Sequence, residues 1–146
     1  MSVRKQLASD FREYESYHGS FANKLIHYAG IPLIVVSVLG LLARLSTSIA
    51  SVRIDAALLV MAGVMVFYFK LEWRLALPFS AAVLAGYWVG IQLSLPVLWS
   101  AFLLGWVMQF VGHSVFERRS PAFFTNLRHL LIGPLWIFYR ALGGGR

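Results

Sequence analysis

The segment IDAALLVMAGVMVFYFKLEWRLALPFSAAVLAGYWVGI, residues Ile54–Ile91, decides the fold. Two apolar blocks, Ile54–Phe69 and Leu75–Ile91, flank a short break that carries Lys70, Glu72 and Arg74. Each block is helical in length and lacks a polar face, so lipid is its expected solvent and the charged break is the turn between two crossings. The whole chain agrees with this reading, since 59% of its 146 residues are hydrophobic and 13% are charged, too apolar a balance for an ordinary soluble domain.

Outward from this segment, the polar stretch ARLSTSIASVR, residues 43–53, reads as a loop, and Ile31–Leu42 is the first span of a helix that begins near Phe21, with Ser20 as its cap. Gly30 and Pro32 shape the entry of that span. Residues 3–17 read as an amphipathic helix, with Val3, Leu7, Phe11 and Tyr14 at spacings of three and four; it lies on the membrane surface or against the bundle. On the other side, Gln92–Pro96 is an uncharged connection and Val97–Val115 a fourth span, closed by Glu117, Arg118, Arg119 and Pro121. Leu130–Leu142, about 13 residues with Gly133 and Pro134 near its start, is too short for the roughly 20 that a crossing needs and reads as interfacial or re-entrant. The GGGR end reads as a frayed tail. The expectation is an all-α, polytopic membrane bundle of about four spans forming one domain over residues 1–146.

Charge orients it. With the N-terminus inside, Arg4, Lys5, Arg12, Lys24, Lys70, Arg74, Arg118, Arg119 and Arg128 fall on the inner side, joined by Arg140 and Arg146 if the tail does not cross. Only Arg44 and Arg53 fall outside, as the positive-inside rule requires. The net charge of +7 is therefore that of a membrane protein's inner flanks and does not indicate nucleic acid. The first residues lack the apolar core of a secretory signal peptide, so the N-terminus is expected to be kept.

This topology brings all four histidines, His18, His27, His113 and His129, to the inner boundary. Asn23 with His27, Gln109 with His113, and His113 with Glu117 are each four apart, so every such pair shares a helical face. Polar groups within a membrane are costly unless partnered, which makes these functional candidates. The chain has no cysteine, so a metal here would have nitrogen or oxygen ligands. Neutral imidazoles with at most one carboxylate suit non-haem iron(II), and such sites also accept zinc. Asn23, Gln109 and Glu117 are then hydrogen-bonding partners that fix ring tautomers, Glu117 alternatively a ligand. Against this stands the plainer reading of the histidines as packing residues, and of Glu117–Arg119 as a solvated charge cluster. Tyr17, Tyr28, Trp106 and Trp136 read as interfacial belt residues, and Gly63, Gly86, Gly90 and Gly105 as close helix contacts.

Two runs carry a family resemblance. YHGSFANKLIHYAGIP, with His18, Asn23, His27, Gly30 and Pro32, and GWVMQFVGHSVFERRSPAFFTNL, with Gln109, Gly112, His113, Phe116, Glu117, Pro121, Ala122 and Asn126, resemble the signature segments of the 2-hydroxy fatty acid dioxygenase family, typified by the yeast protein for metabolism of phytosphingosine to odd-numbered fatty acids. LLIGPLWIFY is similar to the family's ending. The resemblance implies an iron(II)-dependent enzyme that uses O2, without 2-oxoglutarate, to shorten a 2-hydroxy fatty acid by one carbon in alpha-oxidation. It places His18, His27 and His113 at the motif histidines; His129 rests on topology alone. Phe21 and Ala22 depart from the Asn-Pro that often follows the first histidine, which affects turn geometry more than metal binding. Lys24, Arg118 and Arg119 are the cations available to steady the substrate's carboxylate. The chain lacks the yeast protein's longer tail and a retrieval signal, so a bacterial inner membrane is expected, or the endoplasmic reticulum in a eukaryote, with the N-terminus and the histidines on the cytoplasmic side. The rival readings are a membrane haem or electron-transfer protein with two of these histidines as axial ligands, and a non-catalytic lipid-binding bundle. No protein partner is indicated.

Overall fold

The computed structural model describes residues 4–50 and 52–144, without the side chains of Ile49, Val52, Arg53 and Ala122. The expectations for Val3, for the Arg53 and Ala122 side chains and for Arg146 lie outside the described residues. The chain is mostly helical: α1 Lys5–Ser16, α2 Phe21–Leu42, α3 Ala56–Gln92, α4 Leu95–Val111 and α5 His129–Ala141. A π-helical turn, Gly112–Glu117, extends α4, and Ala122–Phe124 forms a 3-10 turn. Among the described residues, three helical stretches are long and apolar enough to cross a membrane, namely Phe21–Leu42, Ala56–Gln92 and Leu95–Glu117.

The expected loop between the first two spans is instead a short antiparallel ribbon, β1 Ser46–Ile49 and β2 Val52–Asp55, so the fold is not purely helical. Its β-branched residues Thr47, Ile49, Val52 and Ile54 explain the preference. At the turn, Ala50 adopts φ 47°, a conformation that costs an L residue with a Cβ.

The two apolar blocks around Lys70–Arg74 form one helix, α3, broken at Glu72, whose φ −160° and ψ 94° are extended. The break reverses the chain. A straight helix separates residues 11 apart by about 16 Å, yet the rings of Tyr68 and Phe79 lie 5.1 Å apart. The Tyr87 hydroxyl likewise donates to Asp55 Oδ2 at 2.6 Å across 32 residues. The turn thus falls where the charged break predicts it, with a single residue in place of a loop.

Contacts divide the described chain into two units, Leu33–Leu103 and the residues on either side of it. Within Leu33–Leu103, Leu39, Ala43, Ala57 and Met61 form an apolar cluster beside Val35, Leu42, Val83 and Tyr87. Gly90 and Gly40 meet backbone to backbone, while Gly63 has open space beside it and makes no close helix contact.

In the other unit, α1 turns its buried face, Leu7, Asp10, Phe11 and Tyr14, against α5. Phe11 packs on Tyr139 at 5.1 Å and Tyr14 on Trp136 at 5.3 Å between ring centroids. An Asp10–Arg128 ion pair at 2.8 Å and a bond from Trp136 Nε1 to Glu15 Oε1 at 2.9 Å close the same interface. Of the two placements open to the amphipathic helix, it takes the one against the protein. Trp136 is 0% exposed, so it is a core residue and not a belt residue; burying a side chain of this size stabilises by roughly 2–3 kcal/mol.

Candidate metal centre

Three histidines converge from three elements: His18 on the turn after α1, His27 on α2 and His113 on the π-helical turn. One ring nitrogen from each can be chosen so that all three lie within 4.8 Å of one another. Ring centroids are 4.4 Å apart for His18–His27, 4.8 Å for His18–His113 and 4.9 Å for His27–His113, with the planes nearly perpendicular. All three side chains are buried, at 1–2% exposure.

The backbone sets two tautomers. His18 Nδ1 lies 2.6 Å from the Tyr14 carbonyl oxygen and His27 Nδ1 lies 2.9 Å from that of Asn23, each four residues earlier. A carbonyl only accepts, so each Nδ1 carries the proton and each Nε2 keeps a lone pair. His18 Nε2 and His113 Nδ1 are buried without a hydrogen-bond partner. Burial pushes the His18 imidazolium down to about 4, against the Tyr14 carbonyl, which favours the charged ring. His18 is therefore neutral at pH 7, the state that ligates a metal. Buried lone pairs left unsatisfied at this spacing, from an all-nitrogen donor set, fit a divalent transition metal.

Around the rings, Glu117 joins the π-helical turn to the start of α2. Its Oε1 accepts from the Ser20 backbone N–H at 2.8 Å and from Asn23 Nδ2 at 3.0 Å. This bond turns Asn23 Oδ1 towards Gly112, where it has no partner. A Cβ on Gly112 would collide with that oxygen and come within 3.3 Å of His27 Cε1, so only glycine permits this approach. The π-helical turn is the kind of local widening often found at functional sites.

The matched family now decides the relationship. Residues 4–144 match the family described as Mpo1-like, 2-hydroxy-palmitic acid dioxygenase Mpo1-like. The chain belongs to the Mpo1-like family. It is 32% identical over 147 residues to the 2-hydroxy-palmitic acid dioxygenase MPO1 of Saccharomyces cerevisiae, an alignment covering 93% of this chain and 79% of that protein. No solved structure matches the chain.

In this Mpo1-like chain, the sequence-predicted residues separate into groups. His18, His27 and His113 come together, while His129 does not join them. It is buried beside Tyr17, with its Nε2 3.4 Å from Glu13 Oε1. Asn23 and Gln109 are buried at the centre's edge, and Gln109 Nε2, set against Gly30, has no hydrogen-bond partner. The tautomers of His18 and His27 are fixed by main-chain carbonyls and not by the expected side chains. Lys24 is half-buried; Arg118 and Arg119 are exposed, Arg118 in the left-handed region at φ 51°. Sequence reasoning missed Tyr14, whose ring stacks on His18 at 4.1 Å. Its position four residues before a histidine was the available signal.

Proposed function

We propose that this protein is an integral membrane, non-haem iron(II)-dependent dioxygenase that uses O2 to shorten 2-hydroxy fatty acids by one carbon, in fatty acid alpha-oxidation. One observation carries the reading: three buried, converging histidines, two of them (His18 and His113) with an unsatisfied ring nitrogen, in a chain of the Mpo1-like family whose yeast relative is named for 2-hydroxy-palmitic acid. Iron(II) in such a site supplies dioxygen activation and a chelation point for the acid's hydroxyl and carboxylate, and zinc can substitute for it in purified protein.

The protein's own groups do the rest. His18 and His27 are held by backbone carbonyls with Nε2 free, so the donors are preorganised. Glu117 acts as a positioning residue, because its carboxylate ties the start of α2 to the segment bearing His113. Gln109 Nε2 and Asn23 Oδ1 offer a buried donor and a buried acceptor to the polar end of the acid. Lys24, Arg118 and Arg119 supply positive charge for its carboxylate, while its alkyl tail remains among apolar helices or lipid. His129, whose Nε2 lies 3.4 Å from Glu13 Oε1 without a hydrogen bond, has a supporting role outside the ligand set. The two arms of α3, reversed at Glu72, each cross the bilayer; with α2 and α4 this makes four crossings and puts the N-terminus and the histidines on the cytoplasmic side.

Ring centroids of 4.4–4.9 Å leave no room for a macrocycle between any two of the three histidines, which argues against bis-histidine haem. The test is anaerobic loading of detergent-purified protein with iron(II), then O2 uptake and product mass analysis with 2-hydroxypalmitic acid. A product one carbon shorter, lost in His18→Ala, His27→Ala and His113→Ala, is the expected result. Stoichiometric metal without turnover across several chain lengths would overturn the substrate class. No metal binding at all would leave a non-catalytic bundle.

A further inference from the structure

Beyond the three histidines, oxidisable rings run outward from one of them. Tyr14 stacks on His18 with centroids 4.1 Å apart and planes 18° from parallel. Trp136 lies 5.3 Å from Tyr14 and 6.3 Å from His18, and Tyr28 stacks on Trp136 at 6.0 Å with planes 6° apart. Tyr14 is 4% exposed and Trp136 0%, so neither ring is reached directly by solvent. Packing alone accounts for contacts between aromatic rings. The indole N–H bond likewise closes the α1–α5 interface, but its acceptor is a carboxylate, a group that can also take a proton.

Trp136 Nε1–H donates to a carboxylate, Glu15 Oε1, at 2.9 Å, and the Glu15 side chain is 39% exposed. The Arg140 guanidinium sits 5.5 Å over the face of the same indole, with its Nη1 3.8 Å from the same Glu15 Oε1. A positive charge there opposes a positively charged ring, so removal of an electron from Trp136 is eased when its Nε1 proton leaves at the same time. Glu15 is placed to take that proton and lies partly in water. The arrangement has the parts of a proton-coupled electron relay: a ring stacked on a candidate ligand, a second ring behind it and a proton acceptor at the exit.

We propose that Tyr14, Trp136 and Glu15 form such a relay, which drains oxidising equivalents from the histidine centre when turnover miscarries. This rests on the dioxygenase reading above. The oxidant is the metal centre left one electron too oxidised after reaction with O2. One electron tunnels inward from Trp136 across the stacked Tyr14 ring, which stays a neutral phenol throughout, and the Nε1 proton passes to Glu15, leaving a neutral indolyl radical. A soluble one-electron reductant of the thiol or ascorbate class then returns an electron across the half-buried Tyr28 ring stacked on Trp136, and Glu15 returns the proton. The relay protects His18, His27 and His113 from being oxidised in place.

The test uses the full chain, loaded with iron(II) in detergent and exposed to O2 with 2-hydroxypalmitic acid, comparing wild type with Trp136→Phe and Glu15→Gln. Glu15→Gln keeps an acceptor for the indole N–H but cannot take its proton, so it preserves the packing if Trp136→Phe does not fold. Metal content and initial O2 uptake are measured on the same samples. The relay predicts an organic radical in freeze-quenched wild type by electron paramagnetic resonance, lost in Trp136→Phe and diminished in Glu15→Gln. It also predicts a several-fold fall in turnovers before inactivation in both variants, with peptide mass mapping showing more oxygen added to the three histidines. Wild-type-like damage and radical yield in both variants, at normal metal content and uptake, would overturn the relay alone. Failure of the wild type to bind metal or consume O2 would overturn the relay together with the dioxygenase reading.

Discussion

The chain buries polar side chains in two regions and treats them in opposite ways. In Leu33–Leu103, Asp55 accepts from the Leu58 backbone N–H at 3.0 Å and from the Tyr87 hydroxyl at 2.6 Å, and Ser37 donates to the Ile34 carbonyl at 2.9 Å. Around the histidines, His18 Nε2, Asn23 Oδ1, Gln109 Nε2 and His113 Nδ1 are buried and unpartnered. Each such group costs about 1–3 kcal/mol relative to a satisfied one. Natural folds keep few of them; the ring nitrogens of His129 are unpartnered too but stand apart, whereas these four gather around three converging histidines, the arrangement that supports the proposed metal site. In the proposed reading the first region is scaffold, and the second leaves its polar groups unsatisfied for a metal and substrate to complete.

The largest effect that would break this comparison is removal of a ligand. His27→Ala is expected to lower metal affinity by about 100-fold or more, since an outer partner alone is commonly worth 10–100-fold, and to abolish O2 uptake. Retained stoichiometric metal in that variant would mean that His27 is not a donor.

Glu117 gives the next effect and separates two roles. The bonds from the Ser20 N–H and Asn23 Nδ2 both go to one oxygen, Oε1, so a glutamine amide oxygen can accept both, and only the backbone contact with Gly19 is left to the other end of the group. Glu117→Gln is expected to hold metal within a few-fold of wild type, while Glu117→Ala loses affinity by about 10-fold or more through a displaced α2 start. Equal, severe loss in both variants would make Glu117 a ligand. In the scaffold region, Gly90→Ala places a Cβ 2.7 Å from the Val36 carbonyl oxygen and 2.9 Å from Gly40 N. These are backbone atoms that cannot swing aside, so the cost is about 3 kcal/mol, near the upper end for overpacking. Thermal unfolding in detergent would show the loss, with metal stoichiometry unchanged in the folded fraction.

What the sequence revealed depended on whether the cause was carried by side chains. The reversal at Glu72 was legible because Lys70, Glu72 and Arg74 interrupt an otherwise apolar run. The ribbon at Ser46–Asp55 was not read, because polarity was weighed over its alternating β-branched residues. His18, His27 and His113 were legible from spacing and boundary position, but position alone could not separate them from His129. The carbonyls of Tyr14 and Asn23 that set the tautomers have no signature, since every residue has a carbonyl. The same holds for the π-helical turn and for Gly112, whose need for glycine appears only once α2 is beside it. Trp136 was misread because belt and core aromatics share a composition; the position of α1 decides between them.

The smallest effect makes the scaffold resemble the centre by leaving one of its buried polar atoms unpartnered. Tyr87→Phe removes the hydroxyl that donates to Asp55 Oδ2 and preserves the ring, while Oδ1 still caps α3 through Leu58. Asp55 is 2% exposed, so the orphaned oxygen has little access to water, and the expected cost is about 1–2 kcal/mol. If lack of partners by itself created binding, this variant would gain metal affinity. It is expected to gain none, because a single carboxylate oxygen without converging donors cannot replace a metal's water shell. Stability should fall slightly in thermal unfolding, while metal stoichiometry and O2 uptake stay at wild-type values. A gain of bound metal, or a loss of turnover out of proportion to the stability change, would show that convergence of donors is not what distinguishes the two regions.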